Sequence, residues 1–247
     1  MLIRVGAEWV NYHANSSCKQ VILDYRDDHA KLFCAMMKIA GHKAVTNDSD
    51  SINNPDKVFC WGNDNAWESD FRHPDFGGDS LNWADNVHFL FYSNHGGNSG
   101  STMRICFSKP HNNCRSFTSQ WKLGDKMLKW LVLDCCDCVL NTSASHLSTV
   151  WFPPAHGIHM IFGFVGEGTD GADNSFLGFI FGAEAAVGSK LSNAWLDVAS
   201  ASYDDVAIAM AYGKTKEEAI NRRENETINW RDYDVESANW LAWKWRG

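Results

Sequence analysis

Basic charge, proline and long apolar runs are what this 247-residue chain has least of. Lys and Arg number 22 against 30 Asp and Glu, giving a formal charge of -8. Nucleic-acid affinity comes largely from Lys and Arg neutralising phosphates, so the composition argues against a nucleic-acid partner. Only 5 prolines and 19 glycines are present, which excludes collagen-like and Pro-rich classes. The longest apolar stretches, such as Ile158 to Val165, fall far short of the roughly 20 residues a membrane span needs. The N-terminus carries Glu8 and no long apolar run, which argues against a signal peptide. The reading therefore expects a soluble, cytoplasmic chain with no membrane partner.

What is present is ordinary for a globular protein: 45% hydrophobic and 21% charged residues. The length suits one domain, residues 1–247, with a substantial core. Eight cysteines occur, at 18, 34, 60, 106, 114, 135, 136 and 138. Without secretion they are expected to be free thiols rather than a disulfide framework. The Asn-x-Ser/Thr triplets at Asn15, Asn47, Asn141 and Asn225 are then chance matches.

No internal repeat interrupts an alternation of apolar strands, polar loops and amphipathic helices. Leu2 to Val10 predicts a first strand. Asp27 or Asp28 caps a helix to about Ala40, with Gly41 as its stop. Val58 to Trp61 is a short strand, followed by a polar, aromatic loop from Gly62 to Trp83. Val87 to Tyr92, Leu128 to Leu133 and His159 to Val165 are continuous apolar runs, the signature of strands buried on both faces. Ser175 to Val187 and Ser192 to Ala201 read as helices and Val206 to Tyr212 as a strand. Thr215 to Glu226 reads as a charged helix, with Thr215 and Glu218 in capping-box spacing. The tail, with Trp230, Trp240, Trp243 and Trp245, is expected to pack on the body. The pattern predicts a three-layer α/β fold with a mostly parallel central sheet flanked by helices.

Parallel sheets bind ligands beyond the carboxyl ends of their strands. Two such ends carry chemistry here: Ser93-Asn94-His95-Gly96-Gly97 and Asp134-Cys135-Cys136-Asp137. The 41 residues from His95 to Cys136 (136 − 95) suffice for a loop, a helix and a return to a neighbouring parallel strand. If those strands are adjacent, imidazole and thiol share one crevice. A thiol becomes a strong nucleophile beside an imidazolium or a helix N-terminus, and the imidazole can protonate a leaving amine. The N–H groups of Gly96 and Cys136 would hold the oxyanion.

An apolar strand ending in His-Gly, followed by one ending in acidic-small-Cys, resembles the caspase, gingipain, legumain and clostripain superfamily of cysteine peptidases. The resemblance covers roughly residues 85 to 170. It implies a caspase-like fold, Cys136 as nucleophile, His95 as general acid/base, the backbones of Gly96 and Cys136 as oxyanion donors, and no cofactor. The segment Asn65-Ala66-Trp67-Glu68-Ser69-Asp70-Phe71 is similar to one that precedes the histidine strand in an uncharacterised branch. Cys135 stands where a small residue is expected, so the nucleophile is ambiguous by one position. No self-cleavage linker between large and small subunits is visible.

Other uses of these residue types compete. Cys135, Cys136 and Cys138, with His156 and His159, offer soft metal ligands; but zinc loops space cysteines as Cys-x₂₋₄-Cys, and adjacent strand residues point to opposite faces. No metal is expected, and either histidine could instead line the pocket. Glu167, Asp170 and Asp173 follow the third core strand, and Glu68 and Asp70 form a second acidic pair. With Asp134 and Cys135 these are candidate substrate-binding residues, carboxylates suiting a basic group, or else solvated loop acids with an Asx-turn at Asp173. Trp61, Trp67 and Trp83 read as packing residues. The expected reaction is hydrolysis of a peptide or amide substrate through a thioester. The rivals are acyl transfer (ligation, cyclisation or a small-molecule reaction) on the same dyad, and a non-catalytic binding scaffold. Oligomeric state has no signature in the sequence.

Overall fold

The computed structural model describes residues 2–13, 16–167, 170–202, 205–230 and 238–247. Its strands in chain order are β1 (Val5–Trp9), β2 (Phe59–Gly62), β3 (Phe89–Ser93), β4 (Gly96–Asn98), β5 (Met103–Cys106), β6 (Arg115–Phe117), β7 (Trp130–Asp134), β8 (Met160–Val165), β9 (Val206–Gly213) and β10 (Trp240–Arg246). The helices are α1 (Arg26–Ile39), α2 (Asp48–Ser51), α3 (Ala144–Trp151), α4 (Leu177–Ala186), α5 (Leu191–Ser202) and α6 (Lys216–Asn225).

Seven strands make one sheet in the order β10-β9-β8-β7-β3-β1-β2. The pairs from β2 to β8 are parallel, whereas β9 and β10 run antiparallel. Every residue of β3 and β7 is buried, as their unbroken apolar runs require of strands covered on both faces. The helix from Arg26 ends where predicted: Gly41 takes φ +87°, a left-handed conformation that stops the helix cheaply only in glycine. At α6 the Thr215 hydroxyl accepts from Glu218 N–H, but the Glu218 carboxylate reaches back to Lys214 N–H, one residue before the helix cap.

Helices cover the two faces unequally. On one, Phe33 and Met37 of α1, Phe181 of α4 and Trp195 of α5 pack over Phe89, Phe91, Val132 and Phe162. On the other, among the described residues α3 is the one α-helix in the apolar core, joined by residues such as Phe71 and Ala84 from the segment between β2 and β3 and Met103 and Ile105 from a three-stranded antiparallel sheet, β4-β5-β6. That second layer is therefore mostly loop and small sheet, not helix. The tryptophan tail packs on the body as an edge strand, β10 on β9.

One expectation about the cysteines is overturned. Cys18 and Cys114 are joined in a disulfide across 96 residues, linking the β1–α1 loop to the approach to β6. Asn15 lies outside the described residues. Among the described residues no helix is long and apolar enough to cross a membrane.

Candidate active site

The register of β3 on β7 assembles the site. Ser93 lies opposite Asp134, and Asn94 N–H donates to Asp134 O (3.2 Å). His95 and Cys136 are each two residues beyond that pair, so both emerge on one rim. Gly96 closes the gap: a Cβ there would sit 2.4 Å from Cys136 O and 2.8 Å from Cys135 Sγ, so only glycine allows this approach. Cys106 N–H donates to His95 O, which makes His95–Cys106 the hydrogen-bonded pair. In the antiparallel alternation Gly96–Ile105 is then the non-hydrogen-bonded pair, and Gly96 N–H points away from β5.

His95 is oriented by backbone. Its Nε2 lies 2.7 Å from Val21 O in the β1–α1 loop. A carbonyl only accepts, so Nε2 carries the proton and Nδ1 of the neutral ring is the base. Burial pushes the His95 pKa below its ordinary 6.5, with His13 and Arg26 acting the same way and the Val21 carbonyl and Asp170 opposing. The His13 ring is 5.6 Å from that of His95 and is itself held by Asn94 Oδ1 and Phe107 O, both at 3.1 Å.

The two adjacent cysteines differ in environment. Cys135 is 1% exposed, its Sγ is 3.4 Å from Cys138 Sγ, and burial together with the Cys138 thiol pushes its pKa well up. Cys136 is half-buried at the rim. The strand does not continue to Cys138: Asp137 turns the chain at φ +54°, which brings Cys138 back beneath Cys135 rather than onto one face with Cys136. Among the described residues no group of three or more His, Cys, Asp or Glu side chains could hold a metal ion.

Three of the six expected substrate-binding acids are already engaged. Asp134 is fully buried, with Arg26 Nη1 at 2.8 Å, His29 Nδ1 at 2.6 Å and the Ser93 hydroxyl at 2.5 Å. Burial alone would raise its pKa, but Arg26 and His29 hold the carboxyl well below the usual range. It is a structural anion and presents nothing to a ligand. Asp170 accepts from Asp24 N–H at 2.8 Å and faces Arg26 at 3.4 Å, tying the loop after β8 to the start of α1. Glu68 accepts from the backbone N–H groups of His111, Asn112 and Asn113 and from Arg72. Glu68 and Asp70 belong to the loop that follows β2. Glu167 remains exposed near the site, and the side chain of Asp173 lies outside the described residues. His159, 1% exposed, precedes β8 at the opposite end of the sheet and bonds Glu226 at 2.8 Å; His156 faces Asp125. Neither lines the rim.

Val21, His13, Asn94, Asp137 and Arg104 join the site without having been read from the sequence. Burial, then Glu167, pushes the Asp137 carboxyl up, and Arg104 opposes them. The Val21 contribution is a carbonyl, which every residue has, so no side-chain pattern could reveal it. His13 could be noticed only as a histidine shortly after the first strand.

Comparison with family profiles places almost the whole chain in one group. It belongs to the family described as "Domain of unknown function (DUF6345)", whose profile matches residues 7–247. No curated protein matches the chain.

Proposed function

We propose that this chain is a caspase-like cysteine hydrolase acting on a peptide or amide bond, with Cys136 as nucleophile and His95 as general acid/base. The observation that carries the reading is the register: two chemically complementary side chains, 41 residues apart in sequence, each follow by two positions an in-register strand pair. The Cys136 sulfur attacks the substrate carbonyl and passes its proton to His95 Nδ1. The tetrahedral oxyanion forms beside Gly96 N–H, which is directed away from β5. The C–N bond then breaks, and His95 returns the proton to the departing amine. Water, deprotonated by the same nitrogen, hydrolyses the thioester.

Exposed Glu167 and half-buried Asp137 place negative charge beside the thiol. They favour a substrate with a cationic group near the scissile bond.

The test is covalent. Wild-type protein treated with a panel of peptidyl acyloxymethyl ketones is expected to gain one adduct, mapped by mass spectrometry to Cys136. Cys136→Ala should gain none while keeping its circular dichroism. An adduct at Cys135, or no adduct on wild type with any member, overturns the assignment. His95→Ala should cut the rate of amide hydrolysis by about 10²–10⁴.

A further inference from the structure

A second site lies at the far edge of the sheet, on β2, and it does not depend on the reading of Cys136. A cavity of about 320 Å³ opens there, within the range of small-molecule sites. Its walls include three half-buried indoles: Trp61 of β2, Trp67 of the following loop and Trp83 of the approach to β3. Trp61 and Trp83 meet nearly at right angles, 76° with ring centres 5.7 Å apart, and so form a corner. Trp67 is fixed by His111 stacked at 4.2 Å and by its indole N–H donating to Asp64 O. The turn after α2, with Ile52 and Asn53, forms the opposite lip.

Asp70 also lines the cavity although it is only 2% exposed. Its carboxylate accepts one long bond, from Trp67 N–H at 3.3 Å, and a marginal contact from the Ser69 hydroxyl at 3.5 Å. Behind it is Glu8 of β1, in register with Trp61 and therefore on the same face of the sheet. Glu8 is fully buried, and neither of its carboxylate oxygens has a hydrogen-bond partner. The cation nearest in sequence, Arg72, is paired with Glu68 at 3.1 Å. Asp70 thus lines an aromatic cavity with Glu8 buried behind it, and among the described residues neither carboxyl is in a salt bridge. Leaving such groups uncompensated is costly, and native proteins keep them where something else supplies the partner.

We infer that this cavity binds an organic cation of the alkylated ammonium class, its charge held against the indole faces and over Asp70, with Glu8 behind. Tryptophan is the best aromatic partner for a cation, and cages of this kind recognise weakly hydrated ammonium groups. A neutral apolar guest would fit the walls but leave the carboxyls unmatched. An inorganic cation would need several oxygens converging on it, and among the described residues no such cluster exists. Burial pushes both carboxyls well up, with Asp70 and Glu68 adding to it at Glu8 and Asp79 and Glu68 at Asp70; a cation in the cavity would favour their ionised forms.

The experiment titrates ¹⁵N-labelled protein with choline and, in parallel, with 3,3-dimethylbutan-1-ol, its neutral isostere. The indole N–H resonances of Trp61, Trp67 and Trp83 are assigned by single Trp→Phe variants. Choline is expected to shift these resonances saturably at millimolar concentrations and the alcohol to do so at least about ten-fold more weakly, the discrimination a desolvated cation–π contact gives. Glu8→Gln, which keeps the side-chain size, should weaken choline by a similar factor and leave the alcohol unchanged. Trp61→Ala should weaken it too; if that variant fails to fold, Glu8→Gln decides alone. Equal midpoints for the two compounds, no saturable shift with choline, or a Glu8→Gln variant that binds choline as wild type does, each overturns the inference. All of these readouts are independent of the chemistry at Cys136.

Discussion

At Gly96 a single hydrogen atom holds the two motifs together. A methyl group there would meet Cys136 O at 2.4 Å, and that oxygen is backbone, so the β3 and β7 rims would have to part. Gly96→Ala is expected to fold but to lower the hydrolytic rate about 100-fold, the usual consequence of moving reacting groups by an ångström. Steady-state kinetics beside a thermal melt would separate this from a loss of folded protein. The imidazole yields a second expectation. The proposed mechanism needs the base form of His95, and burial holds its pKa below 6.5. Activity should thus be retained through neutrality and lost as pH falls, with the acid limb of kcat/KM centred below 6.5. A limb centred above that value would argue for a different base. At this scale the sequence was legible where side chains stand at strand ends. His95, Gly96 and Cys136 are visible as motif residues. The Val21 carbonyl is invisible, and so are the engagements of Asp134, Asp170 and Glu68, because a carboxylate in a sequence does not announce that an arginine, a histidine or three amides already hold it.

Elements carry these partners. α1 supplies both Arg26 and His29 to Asp134 at the end of β7, so helix and strand are pinned where the site begins. Arg26→Met should cost about 3–5 kcal/mol, because it strands a buried carboxylate, and lower the melting temperature by roughly 10 °C. The pH dependence has a definite sign. The folded pKa of Asp134 is depressed, so the stability it gives is complete above its unfolded value of about 3.9 and is lost as pH falls toward the folded one. Urea unfolding of wild type should therefore weaken in acid more steeply than that of Arg26→Met. The central strands were readable because burial on both faces leaves no polar alternation to confuse them. β4, β5 and β6 were not, since segments such as Gly96–Asn98 and Arg115–Phe117 are short and mix polar with apolar residues. α3 hid for a related reason: Ala144–Trp151 is rich in Ser, Thr and His, and its apolar face is confined to Leu147, Val150 and Trp151. β10 was missed as a strand because an edge alternating between half-buried and exposed tryptophans resembles a packed tail.

At the scale of the whole molecule, the Cys18–Cys114 bond ties distant parts of the chain together. It closes a loop of 96 residues that contains α1, α2 and β2 to β5, including His95. Replacing both cysteines by serine should lower unfolding stability by about 2–4 kcal/mol, measured by urea titration. Labelling of Cys136 should also slow at temperatures where both proteins are fully folded, because the loop bearing Val21 is anchored at Cys18. Unchanged labelling would mean that the carbonyl is held by Asp24 and Asp170 alone. If labelling slows, the same polypeptide exists in a taut form after oxidation and a slack one where glutathione keeps thiols reduced. Maturation in one compartment or the other would then set how fast the rim thiol reacts, with no change to any residue around it.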